Sequence, residues 1–383
     1  MSIQLPKQGF LHWPVGNGDS TSIVVDPTMW IQVDLNHMEK ASEQGDPHTP
    51  VVDRLVEILP KVNGRPYLAV FVLSHPDQDH CRGFAELRRR VTIGELWFSP
   101  RVFAEFKKDL CDDAKTFREE AYRRVRKTID NRGVVGSGDR VRVIGYDDLL
   151  KEKEFVGFPT GQLSVPGTAV TRLDGQDLAG KFRAFIHAPF KDDADGERNE
   201  TSIGMQIMLR NATAQAFALL FGDLNYPVLK RIFEVSEEED LVWNILLGPH
   251  HCSKSVMYWR EEGQTEETLR QDILDAFEKH ELSPGYIVSS SEPIPARNES
   301  GDNPPHAKAK QRYLEIVHNA FLCTQEHPNI RTPLPIVFGL DANGLTYLAP
   351  ASTAARPAPA SLGAAVAAAR GSKDTPRDTV GFG

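Results

Sequence analysis

The stretch that most constrains this 383-residue chain runs from Leu68 to His80. Six apolar residues, Leu68-Ala69-Val70-Phe71-Val72-Leu73, lead directly into Ser74-His75-Pro76-Asp77-Gln78-Asp79-His80. An apolar run of that length reads as a buried strand, and Pro76, which has no N–H, cannot extend it. The polar residues therefore fall in a loop at the strand's C-terminal end, where a rigid sheet holds them. Two imidazoles and two carboxylates in so short a span have the composition of a metal site. Such donors suit zinc, manganese or iron better than calcium or magnesium. The plain alternative, turn residues with an Asp capping the next helix, explains any one of them better than all four.

Three later apolar runs also end in potential ligands. Phe182–Ile186 ends in His187, Ala216–Phe221 ends in Gly222-Asp223, and Val242–Leu247 ends in Gly248-Pro249-His250-His251-Cys252-Ser253. Ligands at the same end of several strands of one sheet can converge on one point. A lone strand-end histidine such as His187 reads equally well as structural. Asp223 is better placed, because the preceding glycine lets backbone approach closely and its carboxylate can bridge two ions.

Elsewhere the sequence is plainer. Gly16-Asn17-Gly18-Asp19-Ser20 reads as a tight turn, not a phosphate cradle, because a strand and not a helix follows it. Helical spacing covers 50–61, 84–90, 102–131, 266–279 and 307–320, and Tyr286–Ser291 reads as the last central strand. The basic residues of 102–131, among them Arg118, Arg123, Arg124 and Lys127, fit a solvated helix face better than a groove lining. The net charge of −9 excludes a global basic field for nucleic acid, though a local groove could still be basic. Four scattered cysteines, Cys81, Cys111, Cys252 and Cys323, form no CxxC pair and suggest neither a disulfide framework nor a zinc knuckle. The N-terminus has no signal-peptide core and no apolar run could span a bilayer, so no membrane role and a cytoplasmic location are expected. Residues 1–348 read as one catalytic domain. Residues 349–383, rich in Ala and Pro, read as a disordered tail whose protein partner, if any, is undefined.

Ser-His-Pro-Asp-x-Asp-His resembles the His-x-His-x-Asp-His signature of the metallo-β-lactamase superfamily, with Asp77 in place of the second His. In this form it is similar to the ComEC-like branch, named for the cytoplasmic domain of bacterial DNA-uptake channels. The order of the remaining motifs also resembles that branch over residues 10–320: Val-Gly-x-Gly-Asp19-Ser, Asn199-x-x-Ser202, Phe-Gly-Asp223, Pro-His250-His251-x-Ser and Asn303-x-x-His306. The resemblance implies an α/β fold, the four-layer αββα sandwich, with a metal site at one edge. It implies one or two divalent ions, zinc or manganese. Asp79 and His80 would hold one ion and His75 with His187 the other, with Asp223 bridging and His250 or His251 completing the set. Asp77, Asp79 and His306 become the catalytic candidates, with Asp77 either a ligand or an acceptor that orients the nucleophile. Asp34 would stand just outside the ligands or simply be solvated. Cys252, where the family usually has Gly, would be a ligand or, preferably, a small buried residue.

The expected function is a metal-dependent hydrolase, a phosphodiesterase or nuclease using a metal-activated water. Its substrate would be a phosphodiester or another hydrolysable small molecule, with nucleic acid among the candidates if Lys254, Arg260, Lys308 and Lys310 line a groove. The alternative is a hydrolase of small esters, lactones or cyclic nucleotides, which suits the acidic charge slightly better. A metal-stabilised scaffold without activity is the third reading.

Overall fold

The computed structural model describes residues 3–104, 110–193, 198–297 and 303–350. The expected tail from 351 onward lies outside the described residues. Leu5–Ala349 forms one compact unit.

Two mixed sheets stack face to face. In the first, strands lie in the order Gly344–Tyr347, Ile336–Asp341, Gly9–His12, Thr21–Asp26, Met29–Val33, Arg65–Leu73, Thr92–Phe98, Arg140–Ile144 and Leu163–Ser164. Pairing is antiparallel up to Met29–Val33 and parallel from there on. The second runs Ala320–Cys323, Glu281–Ser289, Trp243–Leu247, Gln215–Leu220, Gly204–Arg210, Phe182–Ala188 and Ala169–Val170. Its first four strands are parallel and the rest antiparallel.

Inward side chains of both sheets, including Phe10, Ile31, Val70, Val72, Ile186, Ile207, Ile245 and Val288, make the central core. The Arg65–Leu73 strand is buried on its other face too. Phe71 packs there against Phe84 and Phe117, with ring centroids 5.1 and 6.0 Å apart, under the helices Phe84–Arg90 and Asp112–Asp130. The outer face of the second sheet (Leu219, Trp243, Leu246, Ile287) is covered by Tyr226–Val235, Gln271–Lys279 and Ala307–Ile316 through Ile232, Phe277 and Tyr313. The result is the αββα sandwich. The continuous apolar run is thus explained by burial on both faces, as in other parallel strands.

Several expectations change. Arg124 is neither solvated nor part of a groove: it is 3% exposed and donates to Glu120 Oε1 at 2.8 Å and to the carbonyls of Ile93, Gly94 and Arg140. It fastens the long helix to the edge of the first sheet. That helix begins at Asp112, with a separate turn at Arg101–Ala104. The helix expected over 266–279 starts at Gln271, because Thr268–Leu269 pairs with Tyr258–Trp259 instead. The last strands of the sandwich come after Ser291, and Ile336–Asp341 returns beside Gly9–His12.

His187 departs furthest from expectation. It lies at the C-terminal end of its strand, but successive strand residues face opposite ways. Ile186 points into the central core, while His187 points outward beside Phe185. Its Nδ1 meets Ser236 Oγ at 2.9 Å and its Nε2 donates to the Asp240 carbonyl at 3.0 Å. Burial lowers its pKa to about 4, despite the Asp240 carbonyl. Burial likewise lowers His12 to about 4, against the pull of Asp19. Both take up a proton near 6.5 when unfolded and only near 4 when folded. The unfolded state therefore binds more protons in between, and stability falls as the pH drops from about 6.5 to about 4. Denaturant titrations across that range should show the loss, and His187→Gln should flatten its slope.

Candidate metal centre

The ligand loop is built by its neighbours. The Ser74-His75-Pro76 turn leaves the central strand, and Gln78–Cys81 forms a single helical turn. Backbone bonds stitch that turn to the end of the adjacent strand: Leu35 N–H donates to His80 O at 2.8 Å, His37 N–H to Arg82 O, and Asp19 N–H to Asp79 O. Gly18 is needed for this approach, because a Cβ there would lie 2.6 Å from the Asp79 carbonyl oxygen. Just past the C-terminal end of the Gln215–Leu220 strand, Gly222 has φ +51°, and its carbonyl accepts the His250 N–H at 2.9 Å. A Cβ at 222 would crowd Ser202 and Ser74 at 3.1 and 3.3 Å. His250, His251 and Cys252 adopt left-handed backbone, with φ of 51°, 54° and 65°. Such conformations cost about 1–3 kcal/mol each and persist where the surroundings over-determine them.

These loops converge on Asp223, a buried carboxylate. One side holds His80 Nε2, 3.2 Å from Asp223 Oδ1, and His251 Nε2, 3.5 Å from the same oxygen. Asp79 Oδ2 lies 3.4 Å from that His251 nitrogen. The other side holds His75 Nε2 and His250 Nε2, 3.7 and 3.6 Å from Asp223 Oδ2, with Asp77 Oδ2 3.6 Å from His75 Nε2. Each side thus has two imidazoles and one oxygen of Asp223; Asp77 adds a carboxylate on the His75 side, and Asp79 with Asp19 on the His80 side.

The imidazoles are aimed from behind. Asp34 Oδ2 accepts from His80 Nδ1 at 2.8 Å, and Asp34 also accepts from the Ser74 N–H and hydroxyl at 2.7 and 2.6 Å. With its proton given to Asp34, Ser74 Oγ accepts from His75 Nδ1 at 3.1 Å, and Ser202 Oγ stands 3.2 Å from the same nitrogen. His251 Nδ1 donates to the Ser290 carbonyl at 3.1 Å, and His250 Nδ1 faces Ser255 Oγ at 3.5 Å. Every Nδ1 is engaged on the side away from Asp223, that of His251 also lying 3.5 Å from Asp19 Oδ1, which leaves every Nε2 turned toward Asp223. Fixing the far nitrogen in this way sets the tautomer of a metal-ligating histidine.

The donor set fits a cation. Buried His75 Nε2, His80 Nε2, His251 Nε2 and Asp223 Oδ1 make no hydrogen bond, although buried polar atoms nearly always do. Asp19, His80, Asp223 and His251 each offer an atom within 4.8 Å of the others. The protonation equilibria point the same way. Burial alone would discharge His80 and His251, yet Asp223 with Asp34 raises His80 well above its ordinary value, and Asp223 with Asp19 and Asp79 does the same to His251. Burial opposes ionisation of Asp223, but His251, His80 and His250 bring its pKa well below the usual carboxylate range. Asp77, against its burial, is lowered to about 2 by His75 and Arg198.

Of the residues singled out in the sequence, His75, Asp77, Asp79, His80, Asp223, His250 and His251 come together. Both adjacent histidines contribute, one to each side of Asp223, and His250 stands where His187 was expected. His306 is tied to the ligand loop instead: its Nδ1 accepts the Lys254 N–H at 3.1 Å and its N–H donates to the Cys252 carbonyl at 3.1 Å. That makes it a positioning residue. Cys252 is fully buried among the helix-side apolar residues, and burial pushes its thiol far up. Sequence reasoning missed Asp19 as part of the cluster, although the Gly-x-Gly-Asp turn was visible. It also missed Arg198, whose Nη1 donates to Asp77 Oδ1 at 2.8 Å. A cleft of about 450 Å³ opens over the His75 side, lined by Asp77, Arg198, Asn199, Asp223, Asn225, His250 and Ser255.

No family model and no curated protein matches the chain. Among solved structures, it is similar to a subclass B3 metallo-β-lactamase, MEM-A1, from a soil metagenome library, with 14% identity over 64% of this chain and 79% of that one, TM-score 0.32. It is also similar to Rm3 metallo-β-lactamase, with 12% identity over 66% and 81% of the two chains, TM-score 0.35. An archaeal metallo-β-lactamase superfamily protein from Sulfolobus tokodaii shows 12% identity over 81% and 97%, TM-score 0.29.

Variants separate the two halves of the centre. With an ion on each side of Asp223, elemental analysis should find none in Asp223→Ala, one fewer in His250→Ala and in His251→Ala, and the full complement in His187→Gln. Asp34→Asn should weaken binding about 10–100-fold, the usual effect of losing the partner behind a ligand histidine. Because His80 and His251 hold protons that a cation must displace, affinity measured by calorimetry should fall as the pH falls.

Proposed function

We propose that this chain is a metal-dependent hydrolase of small phosphodiesters, with its ions held on either side of Asp223. The observation that carries this reading is the symmetric convergence of four imidazole Nε2 atoms on the two oxygens of one buried carboxylate. Two imidazole nitrogens with carboxylate oxygens on each side, Asp19 among them on the His80 side, suit zinc or manganese. His75, Asp77 and His250 would hold one ion and Asp79, His80 and His251 the other. When bound, such ions supply Lewis acidity and bring the pKa of a water toward neutrality. The likeness of the Ser-His-Pro-Asp-x-Asp-His stretch to the ComEC-like branch of the metallo-β-lactamase superfamily supports the same reaction class.

The chain's own residues do the rest. Asp34, Ser74 and Ser290 hold the imidazoles in one orientation, so little reorganisation accompanies reaction. Arg198, at the cleft lining beside Asp77, places a guanidinium where an anionic substrate oxygen would enter, and such forks match phosphate geometry. Asn199, Asn225 and Ser255 add neutral hydrogen-bonding groups along the cleft.

Small substrates are favoured over long nucleic acid. Lys254 and Lys308 both pair with Glu267, at 2.8 and 3.1 Å, and Lys310 pairs with Glu326 at 3.2 Å. Each of these lysines stands beside a carboxylate and the chain carries a net charge of −9, so the track expected from Lys254, Arg260, Lys308 and Lys310 offers little net positive field to a polyanion. No described helix is long and apolar enough to cross a membrane, and we propose a cytoplasmic setting.

The test is hydrolysis of bis-p-nitrophenyl phosphate by zinc- or manganese-loaded protein, alongside DNA and neutral p-nitrophenyl acetate. Phosphodiester turnover should exceed that on DNA, and Arg198→Gln should raise KM about 10-fold, as expected for loss of a charged hydrogen bond. Turnover of the acetate alone, indifferent to Arg198→Gln, would move the assignment to carboxylic esters.

A further inference from the structure

Behind the metal centre two thiols meet. Cys81 directly follows His80 and is fully buried, while Cys111 is part-exposed and caps the N-terminus of the helix Asp112–Asp130. Their sulfurs are 3.6 Å apart. That is van der Waals contact, and it exceeds a disulfide bond length by only about 1.5 Å. The other two cysteines, Cys252 and Cys323, are buried in the core of the second sheet.

The two members of the pair are not equivalent. Cys111 lines an open groove with Met38, Gln78, Arg82 and Asp112, and Cys81 is sealed behind it. Cys111 Sγ accepts the Ala114 N–H at 3.4 Å. Cys111, at the groove and at a helix N-terminus, is therefore the sulfur a small disulfide reaches first.

We propose that Cys111 and Cys81 form a reversible thiol-oxidation site for small-molecule disulfides of the glutathione type. The Cys111 thiolate attacks one sulfur of the small disulfide, forms a mixed disulfide and expels one thiolate. Cys81, losing its proton, then attacks Cys111 Sγ, and the second small thiol leaves. Two protein thiols and one small disulfide become one protein disulfide and two small thiols, so two electrons pass to the small molecule. The new bond ties the ligand turn Gln78–Cys81 to the long helix, next to His80, and displaces the sulfur that caps Ala114. This site stands independently of the proposed hydrolase activity.

The full chain, fully reduced, is treated with oxidised glutathione and analysed by intact mass and by peptide mapping. The expected result is loss of two hydrogen masses, a Cys81–Cys111 cross-linked peptide, and reversal by a thiol reductant. Cys81→Ser should stop at one glutathione on Cys111, and Cys111→Ser should acquire neither modification on this pair. A wild-type chain that stays reduced, keeps glutathione on Cys111 without closing the bond, or cross-links only Cys252 to Cys323 overturns the proposal. The wild-type map decides between these results even if a serine variant fails to fold.

Discussion

One buried carboxylate sets the terms for everything at the edge of this sandwich. Asp223 faces four imidazoles, and its two oxygens divide them into pairs. In a medium that solvates charge poorly, a carboxylate so placed demands positive charge nearby. Protons on His80 and His251 meet that demand in the protein alone, and divalent ions would meet it more completely. The left-handed turn at His250-His251-Cys252, the tight approach at Gly222 and the serine and Asp34 contacts behind the rings all hold this arrangement open.

The sandwich contributes rigidity and a common edge. The Arg65–Leu73 and Gln215–Leu220 strands belong to different sheets, and their C-terminal ends deliver Ser74–His80 and Gly222-Asp223 to the same place. The Ile203 N–H donates to the Ser74 carbonyl across that edge, and Ser202 Oγ reaches both His75 and the Asp223 N–H. A disturbance in one sheet would therefore reach ligands carried by the other. Arg124, buried under the long helix, similarly fixes a layer whose first residues lie against the ligand turn through Cys111 and Asp113, the latter accepting from the Gly83 and Ala85 N–H groups.

Much of this was legible in the sequence where chemistry is contiguous. His75, Asp77, Asp79 and His80 follow one continuous apolar strand, so the strand's end and the ligands could be read together. Asp223 announced itself by the glycine before it. His187 could not be judged, because a strand-end position does not say which face the side chain takes, and one residue of offset decides it. The choice between His250 and His251 was equally closed to inspection. Neighbouring residues in regular structure diverge, and only the left-handed φ at both positions fans the two rings to opposite sides of Asp223. Asp19 and Arg198 come from loops far away in sequence, and no local pattern links either to His251 or Asp77. Arg124 looked like a solvated cation because its carbonyl partners belong to strand ends that a helical pattern does not reveal.

Anomalous scattering from crystals grown with manganese or zinc would locate the ions relative to Asp223. Two peaks are expected, one among His75, Asp77, His250 and Asp223 Oδ2, the other among Asp19, Asp79, His80, His251 and Asp223 Oδ1. A peak away from Asp223, or none at saturating metal, would contradict this arrangement.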